Sequence, residues 1–342
     1  MKRTLLTAVV AAALAAPLPS VAKELNLQSV FPAGLPVTQD TMDYFTKRIA
    51  DATNGNLRFK QHEAGKLSPP FEVLENVGNG SIDAGWSYPA YWAGKFPVVN
   101  LMTGIPFGPG ATEYITWILR GGGLELWQEA YDKVGVKVMP CGTYVAEAGG
   151  WFRKEIKTVE DYKGLKFRMP GLGGKVIAKL GASPQLIPVG EVYLALETGR
   201  LDGTEMGFPV LDTRFGFDKV AKNYYFPGWH NPATFIELLV NKKVWDGLTA
   251  GERSLIETTC QSANLFSIML GSTAQHDALA KFRASGVKVQ RFPPAVLAAL
   301  KKATDEVMAE EAKKDPLFAR GVESLKKFRA IYAEYEALSD TK

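Results

Sequence analysis

Apolar and polar positions alternate with a period of two over residues 24–30, shift to helical spacing over 38–52 and return to alternation over 56–62. That succession predicts strand, helix, strand at the start of the folded chain. A short helix over 71–77 leads into a strand-like 80–86. The second half predicts a strand over 165–169, a helix over 174–180 stopped by Gly181, a strand over 185–189 and a helix over 191–197 ending near Gly199. A helical pattern over 249–284 is too long for one lobe and is expected to brace two. After a strand over 287–292, Pro293 and Pro294 open another helix, and 323–337 carries Leu325, Phe328, Tyr332 and Tyr335 at helical spacing, a stripe that needs a covering surface. Alternation of this kind predicts an α/β fold with largely parallel sheets.

The first 22 residues change the compartment rather than the fold. Lys2 and Arg3 precede an apolar run from Leu5 to Leu18, and Ser20, Val21 and Ala22 form a small-residue cleavage pattern. This reads as a secretory signal peptide, with a mature chain beginning near Lys23 and residing, soluble, in the periplasm. The formal net charge is +4, of which Lys2 and Arg3 supply two. A nearly neutral mature chain without basic blocks gives no footprint for nucleic acid or anionic lipid. A mature length of about 320 residues exceeds what one hydrophobic core usually holds, so two lobes are expected. Cys141 and Cys260 are the only cysteines. In an oxidising compartment they can pair, and they can equally be two buried thiols.

Enzyme signatures are absent. There is no G-x-S-x-G, no H-E-x-x-H and no phosphate loop, and the glycines of Pro170-Gly-Leu-Gly-Gly174 lack dinucleotide-binding spacing, which leaves them as a turn into a helix. His62 and His276 read as structural or surface residues, whereas His230 sits among rings. Glu191 and Glu197, six apart on a helix, do not share a face and read as a solvated edge. What stands out instead is Arg168, a permanent charge between Phe167 and Met169 at a strand end, and two ring-dense stretches, Trp86 to Trp92 and Tyr224 to Asn231. Ligands of open α/β sheets sit beyond the carboxyl ends of strands, which is where Arg168, Tyr88 and Glu205 fall.

The runs G-G-W-F-R-K-E-I at 149–156, D-Y-K-G-L-K-F-R-M-P-G at 161–171, L-G-A at 180–182, G-E-V-Y-L-A-L-E-T-G-R-L-D-G-T-E at 190–205, and Y-Y-F-P-G-W with L-L-V-N-K at 224–242 carry a resemblance across nearly all of the mature chain. The sequence resembles the extracytoplasmic solute-binding proteins of tripartite ATP-independent periplasmic (TRAP) transporters, and within them the branch that binds 2-oxo acids and related carboxylates. The resemblance implies a periplasmic solute receptor rather than an enzyme, with two lobes closing on a small monocarboxylate, most simply a 2-oxo or 2-hydroxy acid, and delivering it to the TRAP membrane permease subunits. It implies one lobe from 23–145 with about 234–275, a second from 146–233 with about 276–320, and a C-terminal helix, 321–342, that makes a homodimer.

In that family the arginine of K-F-R-M-P pairs with the ligand carboxylate, so Arg168 takes that role. The oxo-acid branch also holds a metal ion at the ligand, through positions occupied here by Glu147, Glu205 and Asn231, with Met206 where the branch has tryptophan. Those departures leave two readings. Either Na⁺ or Ca²⁺ is held by Glu147, Glu205 and Asn231, or the ion is gone and Asn231 or His230 bonds the ligand directly. The binding set expected is Arg168, Glu147, Glu205, Met206, Tyr88, Tyr91, Trp86, His230 and Asn231. Two other functions share these residues: a secreted lyase or isomerase with Glu205 as base, and a periplasmic sensor module.

Overall fold

The computed structural model describes residues 22–339, so the signal-peptide reading lies, apart from Ala22, outside the described residues. Eleven strands follow in chain order: β1 (Lys23–Ser29), β2 (Leu57–His62), β3 (Ala84–Ser87), β4 (Val136–Tyr144), β5 (Gly150–Phe152), β6 (Lys166–Arg168), β7 (Ser183–Gln185), β8 (Gly203–Thr204), β9 (Asn223–Phe226), β10 (Thr234–Asn241) and β11 (Lys288–Arg291). They form two sheets, one of five strands in the order β2-β1-β3-β10-β4 and one of six in the order β11-β9-β5-β8-β6-β7. The fold is α/β, with helices packed against both sheets.

The sheets are mixed rather than largely parallel. β1 runs parallel to β2 and β3, but β10 is antiparallel to both β3 and β4. In the second sheet β5 is antiparallel to β8 and β9, while β6 lies parallel to β7 and β8. A period of two marks a strand without its direction. β10 and β5 are each reached from the other sheet by a short connection without a crossover helix, whereas β11, reached through helices, lies parallel to β9.

The first helix spans Thr38–Ala52 and buries Met42, Phe45 and Ile49 on the first sheet. The long helical pattern breaks in two, Ala250–Thr273 packing on β4 and Gln275–Ala284 packing on β11, with Ala274 between them. The expected strand at 185–189 lies upstream as β7, because Pro188 leads into the short 3₁₀ turn Val189–Glu191 and the strand must end before it. Cys141 of β4 and Cys260 of the long helix form a disulfide with their sequence positions 119 apart, which resolves the choice the sequence left open.

The last helix, Pro316–Ser339, begins earlier than the tail read from the sequence. Half of its stripe is covered by its own chain. Leu325 is buried, Phe328 packs against the core beside Gly121, and Ser324 accepts from Trp117 Nε1 at 3.1 Å. Farther along, Ile331, Tyr335 and Leu338, at helical spacing, are 73 %, 75 % and 82 % exposed. No helix among the described residues is long and apolar enough to cross a membrane.

Candidate functional site

Two of the three connections between the sheets, 145–149 and 227–233, meet at one place, where the Glu147 amide donates to the Asn231 carbonyl at 3.1 Å. Gly228 permits that approach, since a side chain there would run into the Glu147 carbonyl. The carboxyl ends of β3, β4, β6, β8 and β9 point to the same region. They deliver Tyr88, Glu147, Arg168, Glu205 and His230, all buried, from five segments of chain.

Arg168 is only 2 % exposed. Its Nη1 donates to Glu205 Oε1 at 2.5 Å and to the Glu205 carbonyl at 3.3 Å, while its Nε is buried with no partner. Glu205 Oε2 lies 3.3 Å from His230 Nε2, which is also 3.2 Å from Glu147 Oε2. Asn231 Nδ2 donates to that same Glu147 oxygen at 3.0 Å and to the Tyr88 hydroxyl at 3.4 Å.

The electrostatics follow from this chain of contacts. Burial would raise the Glu205 carboxyl, but the Arg168 charge and the His230 bond outweigh it and hold it below the usual carboxylate range. Glu147 has no guanidinium beside it, so burial pushes it up, with Glu205 adding to the rise and His230 opposing it. Burial would lower His230, yet its bonds to both carboxylates carry it up to about 9, so the ring is protonated at neutral pH. Burial also pushes Tyr88 well up, which keeps its hydroxyl a donor.

A cavity with about 410 Å³ of empty space opens on this cluster. That volume includes space open to solvent, and the enclosed part has room for only a few heavy atoms. Its polar wall is Arg168, Glu147, Tyr88, Thr38, Tyr144 and Thr234. The remaining wall is apolar, with Phe31, Leu35, Val189, Met206, Leu211 and Phe215 among its side chains.

Of the residues expected from the sequence, Arg168, Glu147, Glu205, His230, Asn231, Tyr88 and Met206 come together. Tyr91 lies behind Tyr88, ring centroids 5.8 Å apart, with its hydroxyl buried and unpartnered. Trp86 does not reach the site. It lies inside β3, one residue short of the strand end, and its indole packs on Phe45 of the first helix. Asn231 turns its amide nitrogen toward Glu147 and its Oδ1 against Gly104, so it acts as a donor to a carboxylate where the sequence suggested a metal ligand. His62 bonds Asn26 at 2.9 Å and His276, Glu191 and Glu197 are at the surface. Thr38 and Tyr144 were missed. Tyr144 ends β4, and the strand-end rule applied there as well would have found it; Thr38 looked only like the start of a helix.

Glu147 Oε2, Glu205 Oε2 and His230 Nε2 lie within 4.8 Å of one another, a separation one cation can span. While His230 carries its proton, it and Arg168 balance the two carboxylates; with that proton gone, Glu147 and Glu205 are left with Arg168 alone, a donor set that suits a hard ion.

The sequence profile of the bacterial extracellular solute-binding proteins, family 7 (DctP), matches residues 27–315. A monocarboxylate 2-oxoacid-binding periplasmic protein of Nostoc sp. is 37% identical over 283 residues, which is 83% of this chain and 78% of that one. Among solved structures, a TRAP transporter solute-binding protein of Bordetella bronchiseptica superposes with a TM-score of 0.90 at 32% identity, covering 93% of this chain and 95% of that one; it is a dimer with calcium and picolinate at one active site. A TRAP periplasmic solute-binding protein of Pseudoalteromonas atlantica, with bound sodium and pyruvate, gives 0.86 at 35% identity over 93% and 97%. With the profile spanning most of its length, the chain belongs to the family 7 bacterial extracellular solute-binding proteins, periplasmic solute receptors of TRAP transporters and not enzymes.

Proposed function

We propose that this receptor captures a small monocarboxylate, a 2-oxo or 2-hydroxy acid, in the cavity beside Arg168 and hands it to TRAP permease subunits in the membrane. The observation that carries the reading is a buried arginine with an unpartnered Nε in a cavity that it lines as the single cation. A guanidinium matches a carboxylate fork, so one carboxylate is welcomed. A second charge would lie against Leu35, Val189, Leu211 and Phe215 without a partner, which costs far more than it returns. The ligands of the relatives, 2-oxo acids, pyruvate and picolinate, are monocarboxylates of this kind.

Glu147 and Glu205 are the residues that would hold a Na⁺ or Ca²⁺ ion, as the relatives with bound calcium and sodium suggest. Such an ion would supply a positive centre for the ligand's oxygens. The segments 145–149 and 227–233 are the hinge of this reading, dividing 23–145 with about 234–275 from 146–233 with about 276–320. The leader directs the chain to the periplasm, and the exposed face of Ile331, Tyr335 and Leu338 is covered by a second copy, as befits a family with a dimeric member.

The test is calorimetry and thermal shift against pyruvate, lactate, propionate, succinate and a sugar acid, before and after exhaustive chelation. The three monocarboxylates are expected to stabilise the protein and to emerge chemically unchanged. Succinate binding as tightly as pyruvate would defeat the monocarboxylate reading, and affinity indifferent to chelation would remove the ion.

A further inference from the structure

The helix Thr38–Ala52 is entered through a strained turn. Val37 has φ 66° and ψ −46°, and the Thr38 amide donates to the Pro36 carbonyl at 2.7 Å, so Val37 is the centre of a γ-turn of the rare hand. A β-branched residue at positive φ is a true outlier, and such strain persists only where surrounding structure imposes it. Here the Asp40 carboxylate accepts from the Val37 amide at 2.8 Å and the Thr41 hydroxyl donates to the Val37 carbonyl. The consequence of the turn is that Thr38, at a helix start where a hydroxyl would ordinarily face solvent, is buried and faces the cavity with Leu35.

There the Thr38 hydroxyl meets the Tyr144 hydroxyl. The Tyr144 ring is held edge-on by Phe208, centroids 5.1 Å apart, and burial pushes the phenol up, so it keeps its proton. Two hydroxyls own two protons, and the bond between them uses one. Among the described residues neither oxygen has another partner, so one buried O–H is left without an acceptor on the wall of the cavity. Thr234, the third hydroxyl of that wall, has spent its proton on the Thr103 carbonyl. Leaving a buried donor unpaired is costly, and the remedy open to this one is an acceptor brought in by the ligand.

Resting on the proposed function, we infer that Thr38 and Tyr144 form one shared donor that reads an acceptor oxygen on the carbon skeleton of the bound acid, from the sheet other than the one that carries Arg168. Thr38 and Tyr144 belong to the first sheet and its helix, and Arg168 to the second. A ligand with a carboxylate at one end and an oxygen beyond it is therefore gripped from both sheets at once, and an acid without the oxygen is gripped from one.

Either hydroxyl alone still carries a free proton, so the decisive variant is the pair Thr38→Val with Tyr144→Phe, which removes the donor and keeps the shape. Calorimetry with pyruvate and propionate as probes is expected to show pyruvate affinity falling roughly three- to tenfold, as for one lost hydrogen bond, with propionate unchanged within about twofold. Equal losses for both acids, or none for either, would overturn the shared donor while leaving the carboxylate site standing. Failure of the unmodified protein to bind either acid would overturn both readings. Should the double variant not fold, a crystal structure of the unmodified protein with pyruvate decides the matter: the keto oxygen is expected about 3 Å from Thr38 Oγ1 or the Tyr144 oxygen, and a keto oxygen bonded elsewhere refutes the inference.

Discussion

Arg168→Lys is the substitution that isolates the carboxylate clamp. Arg168→Ala would not do so, because Arg168 is the cation beside Glu205, itself 1 % exposed. Deleting it strands a buried carboxylate, a loss of about 3–5 kcal/mol of stability, and failed binding could then be failed folding. Lysine keeps the charge and the pair with Glu205. It concentrates its donors on one atom, so it cannot hold Glu205 and also present the paired edge that Arg168 keeps free at Nε. One charge-assisted hydrogen bond to the ligand is lost, about 1.5–3 kcal/mol, or roughly a 10- to 100-fold weaker Kd. The assay is calorimetry with pyruvate, read together with the melting temperature of the unliganded variant to show that the fold survives. A Kd within threefold of the parent, in a protein that melts near the parent temperature, would refute the clamp.

Three other outcomes are expected. Burial raises Asp212 to about 8 and Glu237 to about 7, only partly offset by their bonds to Trp151 and Tyr224 and to Trp92 and Tyr131. Both groups take up protons on folding, so they cost nothing below their unfolded values near 4 and their full penalty above 8. The unliganded melting temperature should fall from pH 5 to pH 8, Asp212→Asn should flatten the drop, and a rising curve would contradict the burial argument. Replacing Cys141 and Cys260 by serine opens a loop of sequence separation 119, which should cost about 2–5 kcal/mol in denaturant unfolding; an unchanged midpoint would mean the bond adds nothing. Charging the exposed end of the last helix with Ile331→Glu and Leu338→Glu should yield a monomer by analytical ultracentrifugation with pyruvate affinity intact, and an unaltered sedimentation mass would move any dimer contact elsewhere.

Much of the framework was legible in the residues. The helix Thr38–Ala52 has the bounds its spacing predicts, and β1, β2 and β11 lie within a residue or so of theirs. Arg168 could be found because an arginine amid apolar neighbours at a strand end needs a reason. Trp86 was misplaced for the opposite reason. Alternation says that successive side chains face opposite sides of a sheet, but not which side is covered by a helix, and only residues past the end of β3 can turn into the cavity.

What the sequence by itself determined was the alphabet of the site: one permanent cation, two acids, a histidine, and rings at strand ends, carried by local patterns whose physics acts over a few residues. What only the tertiary structure decided was who meets whom. Thr38 and Tyr144, 106 positions apart, are hydrogen-bonded because a γ-turn at Val37 aims one at the end of the strand that carries the other. Glu205 is held ionised and Glu147 raised, although both are buried glutamates, because Arg168 lies against only the first. Charge, burial and donor count are properties of a neighbourhood, and five strand ends from two sheets had to converge before this neighbourhood existed.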